Sequence, residues 1–197
     1  MIMKPKAIIF DWDGTLADTR GAVVNSMNYV LNKYNLEDWD TVKTKYRDTS
    51  KSLKENFFNF FKENSKQAYE EYLSFYKEKA FSSVKSIPYA KELLEFLQSQ
   101  KIKTYIISNK EKSLLLNEVN KCFPSTQFEC IFANGDTLHN KPNPEPVLKI
   151  LKNRDYEITP QTVWFIGDTK QDIDCAIASN CKAILIGFCN LITLDYI

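Results

Sequence analysis

The chain has 197 residues, of which 44% are hydrophobic and 26% are charged, a composition typical of folded globular proteins that argues against disorder or low complexity. Lysine and arginine total 26 against 25 acidic residues, so no net charge attracts the protein to nucleic acid or to an anionic membrane. The sequence shows neither a signal-peptide pattern nor an apolar stretch near the ~18 residues of a membrane span, and we expect a cytoplasmic protein. Its length suits one core domain with a modest insertion.

The first predicted element is a buried strand at residues 6–10, whose apolar run stops at Asp11. Asp11 and Asp13 lie two residues apart, so the period-2 alternation of extended chain can point both carboxylates the same way. Gly14 then allows the chain to turn and bring backbone amides close to an anion. Because open α/β sheets bind ligands beyond the carboxyl ends of their strands, we expect this pair to belong to a binding site.

Residues 20–86 are helix-patterned throughout and contain no run that resembles a central strand. We interpret them as an inserted all-helical cap with hinges at residues 17–21 and 82–86, and we assign residues 1–19 and 87–197 to the core. Three apolar stripes at helical spacing are expected to pack together, without a catalytic role. They are Val23, Met27, Val30, Leu31 and Tyr34; Leu53, Phe57, Phe58 and Phe61; and Tyr69, Tyr72, Leu73 and Tyr76.

After the cap, four more short apolar runs follow, and helical patterns separate several of them. This order is typical of a parallel sheet covered on both faces. The predicted fold class is therefore α/β, with a doubly wound, Rossmann-like core. The strands are predicted at residues 104–107, 130–132, 163–166 and 183–186, and the helices at residues 89–100, 114–119, 146–152 and 172–179.

A second group of acids follows the strand at residues 163–166. Asp168 comes just after this strand, and Asp172 lies four residues later, near the start of a helix. Carboxylates gathered at strand ends suit Mg²⁺, which prefers oxygen ligands and needs only a few protein carboxylates beside a substrate phosphate. Helix capping alone would explain neither the number of these acids nor their placement, so we predict a magnesium site.

Two polar segments are candidates for holding a phosphoryl group. Ser108, Asn109 and Lys110 follow the strand at residues 104–107, and Lys141 lies in a loop stiffened by Pro142 and Pro144. The single histidine, His139, is predicted to be an exposed loop residue, which removes Ser-His and Cys-His nucleophilic schemes. The cysteines show no CxxC pair, so neither a zinc site nor a disulfide framework is expected; they are Cys122, Cys130, Cys175, Cys181 and Cys189.

With these segments in this order, the chain resembles the haloacid dehalogenase superfamily, in particular its phosphoglycolate phosphatase-like members with a helical cap after the first motif. The resemblance spans nearly the whole chain. Asp13 separates it from true dehalogenases, which have the first aspartate but lack the second. Trp12 stands where an aliphatic residue is usual, and we expect it to point away from the carboxylates. The four motifs are Asp11-Trp-Asp-Gly-Thr-Leu16, Ser108-Asn109, Lys141, and Gly167-Asp-Thr169 with Asp172.

The resemblance implies a role for each residue of these motifs. Asp11 would attack phosphorus to give an aspartyl-phosphate, and Asp13 would protonate the leaving oxygen and then activate water. Mg²⁺ would be held by the Asp11 carboxylate, the Asp13 backbone carbonyl and Asp168, with Asp172 in support. The remaining residues would bind phosphate, with Thr15 also buttressing the nucleophile: Thr15, Ser108, Asn109 and Lys141.

The predicted activity is Mg²⁺-dependent hydrolysis of a small phosphorylated metabolite, either phosphoglycolate-like or a sugar phosphate. Two alternatives remain open: a sugar-phosphate mutase that uses the same aspartyl-phosphate but excludes water, and a non-catalytic phosphate-binding protein. Arg47 and Lys51 in the cap are candidates for substrate contact, although solvated helix faces explain them equally well. We expect no nucleic acid or membrane partner, and either a monomer or a homodimer.

Overall fold

A computed structural model of the protein describes residues 4–49, 51–123 and 128–187. The chain order is β1 (Ala7–Phe10), β2 (Ala17–Asp18), α1 (Arg20–Lys33), α2 (Trp39–Tyr46), α3 (Leu53–Phe61), α4 (Ser65–Phe75), β3 (Lys85–Ser86), α5 (Ala90–Ser99), β4 (Lys103–Ile107), α6 (Lys112–Cys122), β5 (Cys130–Phe132), α7 (Glu145–Ile150), β6 (Val163–Gly167), α8 (Lys170–Ala178) and β7 (Lys182–Leu185). A π-helical turn at Tyr76–Ala80 extends α4. Within the described ranges, no helix combines the length and the apolar character needed to cross a membrane.

Five parallel strands form the central sheet in the order β5-β4-β1-β6-β7. Strand β1 lies in the middle and is buried along its whole length, which fits its continuous apolar sequence. Its side chains alternate between two hydrophobic clusters: Ile8 and Phe10 pack on one face of the sheet, and Ala7 and Ile9 on the other. The doubly wound α/β fold predicted from the sequence is confirmed.

The strand order determines what meets at the carboxyl edge of the sheet. Strands β4 and β6 flank β1, with Phe10 of β1 in register with Ile106 of β4 and with Ile166 of β6. The residues just beyond these three strands therefore converge at one edge of the sheet. They are Asp11 after β1, Ser108 after β4 and Asp168 after β6.

Helices α1 to α4 form the helical unit between β2 and β3, and Phe57 lies at its centre. The Phe57 ring packs against the rings of Phe60, Phe61, Tyr69 and Tyr72. The predicted stripe of α3 was wrong at one position, because Phe58 is 62% exposed and Phe60 occupies the buried position instead. The other predicted stripe residues belong to the core cluster or pack against it.

The two predicted hinge segments contain a short antiparallel ribbon. Strands β2 and β3 pair through Ala17 with Ser86 and through Asp18 with Lys85, and the Ile87 amide donates to the Leu16 carbonyl at 2.9 Å. The two connections to the helical unit are thus tied to each other. The described cysteines are all unpaired, whereas Cys189 and the rest of residues 188–197 lie outside the described residues.

Candidate active site

Asp11 lies directly beyond the central strand and is only 6% exposed. Its carboxylate Oδ1 accepts a hydrogen bond from Lys141 Nζ at 2.5 Å, and the same ammonium donates to Asp172 Oδ1 at 2.6 Å. All three side chains are buried. Lys141 is therefore a charge held between two carboxylates, one of which is the predicted nucleophile.

Asp172 is fixed by its position at the start of α8. Its Oδ2 accepts from the backbone amide and the hydroxyl of Thr169, which forms a capping box. Gly167 is required beside it, because a Cβ there would come within 2.3 Å of the Asp172 Cβ. The backbone at Gly167 does not have a positive φ, in contrast to Gly14 and Gly135. Close approach is the reason for glycine at this position.

Carboxylate oxygens of Asp11, Asp168 and Asp172 all lie within 4.8 Å of one another. Among the described residues, Asp168 Oδ1 has no hydrogen-bond partner although it is buried, an arrangement that is costly unless a ligand completes it. Gly14, with φ +79°, makes room for this carboxylate, because a Cβ there would lie 2.3 Å from Asp168 Oδ2. With Lys141 as the ammonium among them, the three acids carry an excess of two negative charges when ionised. This donor set fits a divalent cation with oxygen ligands.

Burial and the repulsion of nearby carboxylates raise the pKa values of Asp11 and Asp168. Burial raises the pKa of Asp11 to about 8; the nearby Asp172 and Asp13 add to the rise, while Lys141 opposes it. Burial, Asp172 and Asp13 raise the pKa of Asp168 to about 6. Burial lowers the pKa of Lys141, but Asp11 and Asp172 outweigh it and the net shift is upward. The cluster therefore holds positive charge strongly, as protons or as a cation.

Asp13 faces the same space with a different set of partners. Its Oδ1 accepts from Thr19 Oγ1 at 2.5 Å and from Lys110 Nζ at 2.6 Å. Oδ2 accepts no hydrogen bond from any part of the chain that the structure describes, and the side chain is 37% exposed. One oxygen of Asp13 is thus anchored, and the other is available to a ligand.

Ser108 and Asn109 follow β4, and Asn109 connects this segment to the loop that carries Lys141. The Asn109 side chain donates to the Lys141 carbonyl at 2.8 Å and accepts from the Lys141 amide at 3.1 Å, so it fixes the backbone that carries the ammonium. Ser108 is 4% exposed, and its hydroxyl accepts from the Lys110 amide at 3.1 Å. Both residues contribute to the wall of the cavity beside Asp11.

A cavity of about 650 Å³ lies over these groups, between the strand ends and the helical unit. Arg47 and Lys51, the predicted substrate contacts, both line it. Tyr69 and Tyr72 line it as well, although their stripe was predicted to serve packing alone. From the core, Gln171 of α8 donates to the carbonyls of Thr49 and Lys51 at 2.7 and 3.2 Å, so the helical unit is closed over the site.

The profile of the family described as haloacid dehalogenase-like hydrolase matches residues 8–186. The chain belongs to this family. It is 30% identical over 185 residues to a phosphoglycolate phosphatase of Aquifex aeolicus, over 91% of this chain and 84% of that protein. It is 24% identical to the pyrophosphatase PpaX of Oceanobacillus iheyensis, over 94% and 85% of the two chains.

Solved structures agree with this assignment. A haloacid dehalogenase superfamily hydrolase from Ehrlichia chaffeensis matches with a TM-score of 0.65 and 29% identity, over 95% of this chain and 90% of that one. The family resemblance predicted from the four motifs is thus confirmed, and the protein is a hydrolase. Its similarity to the Aquifex aeolicus enzyme makes it phosphoglycolate phosphatase-like within the family.

Thr15 differs from the other predicted phosphate-binding residues of this hydrolase, because Ser108, Asn109 and Lys141 line the cavity and Thr15 lies away from it. Thr15 is 3% exposed and its hydroxyl is buried without a hydrogen-bond partner, and it does not line the cavity. Its amide is instead used within the turn, donating to the Trp12 carbonyl. His139 is exposed, as predicted.

Sequence reasoning missed three side chains near Asp13: Thr19, Tyr76 and Glu118. Thr19 occupies the N-cap position of α1 but makes no capping bond, because its hydroxyl donates to Asp13. Tyr76 and Glu118 contact Lys110, which carries the second hydrogen bond to Asp13. An N-cap threonine beside the motif was a signal that could have drawn attention to Thr19.

Proposed function

We propose that this hydrolase is a Mg²⁺-dependent phosphatase that acts on a small phosphate monoester through a covalent intermediate on Asp11. The observation that carries the proposal is the convergence of Asp11, Asp168 and Asp172 within 4.8 Å beside Lys141 and the cavity. A phosphate group entering this cavity meets Ser108 and Lys141 on the same side as the nucleophile. The names of the phosphatase relatives support the same reaction class.

In the first half-reaction, a carboxylate oxygen of Asp11 attacks phosphorus and the bond from phosphorus to the ester oxygen breaks. Asp13 gives its proton to that departing oxygen through Oδ2, which stands free of the hydrogen bonds that hold Oδ1. Lys141 and Ser108 hold the phosphoryl oxygens, and the buried surroundings strengthen these contacts. The products are an aspartyl-phosphate on Asp11 and the released alcohol.

In the second half-reaction, Asp13 is a carboxylate and takes a proton from a water molecule in the cavity. The water oxygen attacks phosphorus, the bond to the Asp11 oxygen breaks, and inorganic phosphate leaves. Asp11 is then free again and Asp13 has regained its proton, so the cycle is balanced. One residue serves first as acid and then as base.

The Asp11 carboxylate, the Asp13 backbone carbonyl and Asp168 would hold the cation, with Asp172 in support. A bound Mg²⁺ supplies charge neutralisation, which allows an anionic carboxylate to approach an anionic phosphate. The fit rests on the unpartnered Asp168 oxygen and on the excess of negative charge in the cluster.

The helical unit of residues 20–86 would act as a cap that determines the substrate. Arg47 and Lys51 would contact a small substrate such as phosphoglycolate or a sugar phosphate, since both line the cavity from the cap side. The ribbon of β2 and β3 joins cap and core, and we propose that the cap opens about this ribbon to admit substrate. A small phosphorylated compound and Mg²⁺ are the only ligands that the reaction requires.

The test is release of inorganic phosphate from a panel of phosphorylated metabolites in the presence of Mg²⁺. Asp11→Asn should reduce turnover by several orders of magnitude because it removes the nucleophile. Asp40→Asn, which removes an acid that is 76% exposed on the cap, should leave turnover unchanged and serves as the charge-matched control. Near-normal turnover by the Asp11 variant would rule out covalent attack by this residue. Isomerisation of a sugar phosphate without phosphate release would rule out hydrolysis.

A further inference from the structure

Glu118 of α6 is a carboxylate with no solvent exposure, located behind the active site. Its Oε2 accepts from Trp12 Nε1 at 2.6 Å, and its Oε1 accepts from Tyr76 Oη at 2.6 Å. Lys110 Nζ lies 3.2 Å from Oε1. Both oxygens of a fully buried acid are therefore bonded, and the partners come from the nucleophile loop, from the cap and from the loop after β4.

Burial of these charged groups costs desolvation free energy, so stability alone does not account for them. Burying a carboxylate and an ammonium together often gains nothing over an apolar pair of similar size. Lys110, with a side chain only 7% exposed, lies between Glu118 and Asp13. Its ammonium donates to Asp13 Oδ1 at 2.6 Å and lies 5.1 Å from the centre of the Tyr76 ring. The Lys110 ammonium thus contacts both carboxylates and links Glu118 to Asp13.

We propose that Glu118 is a positioning residue for the acid/base catalyst. It holds Lys110 against Asp13 Oδ1, and Thr19 holds the same oxygen from the other side. With Oδ1 fixed by two donors, Oδ2 is directed to the leaving oxygen of the substrate. The inference rests on the proposed function, because it assigns Glu118 a purpose only if Asp13 transfers the proton.

Tyr76 makes the cap part of this arrangement. It lies in the π-helical turn that follows α4, and its hydroxyl donates to Glu118 and accepts from Lys110 at 3.3 Å. Trp12, whose side chain belongs to the hydrophobic core, fixes the other oxygen of Glu118. The contacts of Tyr76 with Glu118 and Lys110 therefore connect the closed cap to the orientation of Asp13.

The experiment compares kcat/KM for phenyl phosphate and p-nitrophenyl phosphate, since kcat/KM reports transition-state stabilisation in the first half-reaction. The two esters are similar in shape, but the nitrophenolate leaves readily without a proton whereas the phenolate depends on the acid. Glu118→Gln should lower kcat/KM for phenyl phosphate at least about tenfold more than for the nitrophenyl ester, within the ~10²–10⁴-fold range of acid–base catalysis. A merely structural role would lower both equally, and that result would overturn the proposal.

Tyr76→Phe provides a second, milder variant that removes one hydroxyl and keeps the ring. We expect the same selective loss at a factor of about three, the scale of a single hydrogen bond. Tyr34→Phe is the matched control, because the Tyr34 hydroxyl is buried without a hydrogen-bond partner, and its ratio of the two esters should equal that of the wild type. If Glu118→Gln does not fold, Tyr76→Phe decides: an unchanged ratio would reject the inference.

Asp13→Asn separates this inference from the proposed function. It should show the largest selective loss of all, because it removes the acid itself. A selective loss with Asp13→Asn but none with Glu118→Gln and Tyr76→Phe would reject the positioning role and leave the phosphatase mechanism intact. No selective loss even with Asp13→Asn would instead refute proton transfer by Asp13, and the positioning role would fall with it.

Discussion

Replacing Asp11 by asparagine is expected to stabilise the fold in the absence of divalent cations, and to do so increasingly as pH rises. Burial raises the pKa of Asp11 to about 8, against 3.8 for an unperturbed carboxyl. Between these two pH values the folded protein keeps a proton on Asp11 that the unfolded chain has released. The stability from this proton is fully present below the unfolded pKa and is lost as pH rises through the folded pKa.

The magnitude follows from this linkage. Each pH unit in this window removes about 1.4 kcal/mol from the free energy of unfolding, so the wild type should lose about 4 kcal/mol relative to Asp11→Asn between pH 5 and pH 8. Asp168, with a pKa raised by burial to about 6, titrates in both proteins and cancels in the comparison. Lys141 has a raised pKa and stays charged throughout this range.

The assay is urea denaturation in the presence of EDTA, with the free energy of unfolding measured at pH 5, 6, 7 and 8. Asp40→Asn is the control, since it removes an exposed cap carboxylate and should follow the wild type. Addition of Mg²⁺ should flatten the pH dependence of the wild type, because a cation replaces the proton. If the free energy of unfolding changed with pH equally in the wild type and in Asp11→Asn, ionisation of the buried Asp11 would not destabilise the fold and the reasoning would be refuted.

Three further outcomes are expected. Mg²⁺ at ~100-fold excess over its Kd should raise the wild-type Tm by about 5–10 °C, and Asp168→Asn should lose most of this shift in thermal scans; an equal shift would exclude Asp168 as a ligand. Gln171→Ala should raise KM about 2–10-fold with little change in kcat, because it removes the hydrogen bonds that close the cap; an unchanged KM in steady-state kinetics would contradict this. Phe57→Ala should cost about 3–5 kcal/mol and Phe58→Ala no more than about 0.5 kcal/mol in urea denaturation, whereas equal losses would conflict with their burial.

The sheet, and the meeting of Asp11 with Asp168 at its edge, could be predicted because their sequence signals are local. Strand β1 is a continuous buried run that stops at Asp11, and the run of β6 stops just before Asp168. Since parallel strands present their carboxyl ends at one edge, two acids that follow neighbouring strands must meet. The helical unit was equally readable, because apolar residues at helical spacing continue from α1 to α4.

The surroundings of Asp13 could not be predicted, because they depend on contacts between distant parts of the chain. Glu118 is 106 residues from Trp12 and 42 from Tyr76, and each looked like an ordinary helix or packing residue in its own segment. The error at Phe58 has a local cause: α3 has phenylalanine at 57, 58, 60 and 61, so helical spacing alone does not decide which of them face inward.

The acids around Asp11 carry more negative charge than Lys141 compensates. Lys141 is held between Asp11 and Asp172, with Asp172 acting as the anchor that keeps the ammonium against the nucleophile. Asp168 adds a third acid to this group, and its buried Oδ1 finds no hydrogen-bond partner in the part of the chain that the structure describes. One ammonium among three ionised carboxylates leaves two negative charges, and the proposed Mg²⁺ would neutralise both.

Asp13 has a similar arrangement, in which a buried lysine lies between two acids instead of among three. Lys110 is held between Asp13 and Glu118, and in the proposed arrangement Glu118 is the anchor that keeps the ammonium against Asp13. One ammonium between two ionised carboxylates leaves a single negative charge. In the proposed mechanism, the larger negative charge around Asp11 favours a metal ion there, and the smaller charge around Asp13 leaves that residue to transfer protons. Asp11 and Asp13, two residues apart on one loop, would therefore perform different chemistry in the proposed reaction, because each is paired with its own buried lysine.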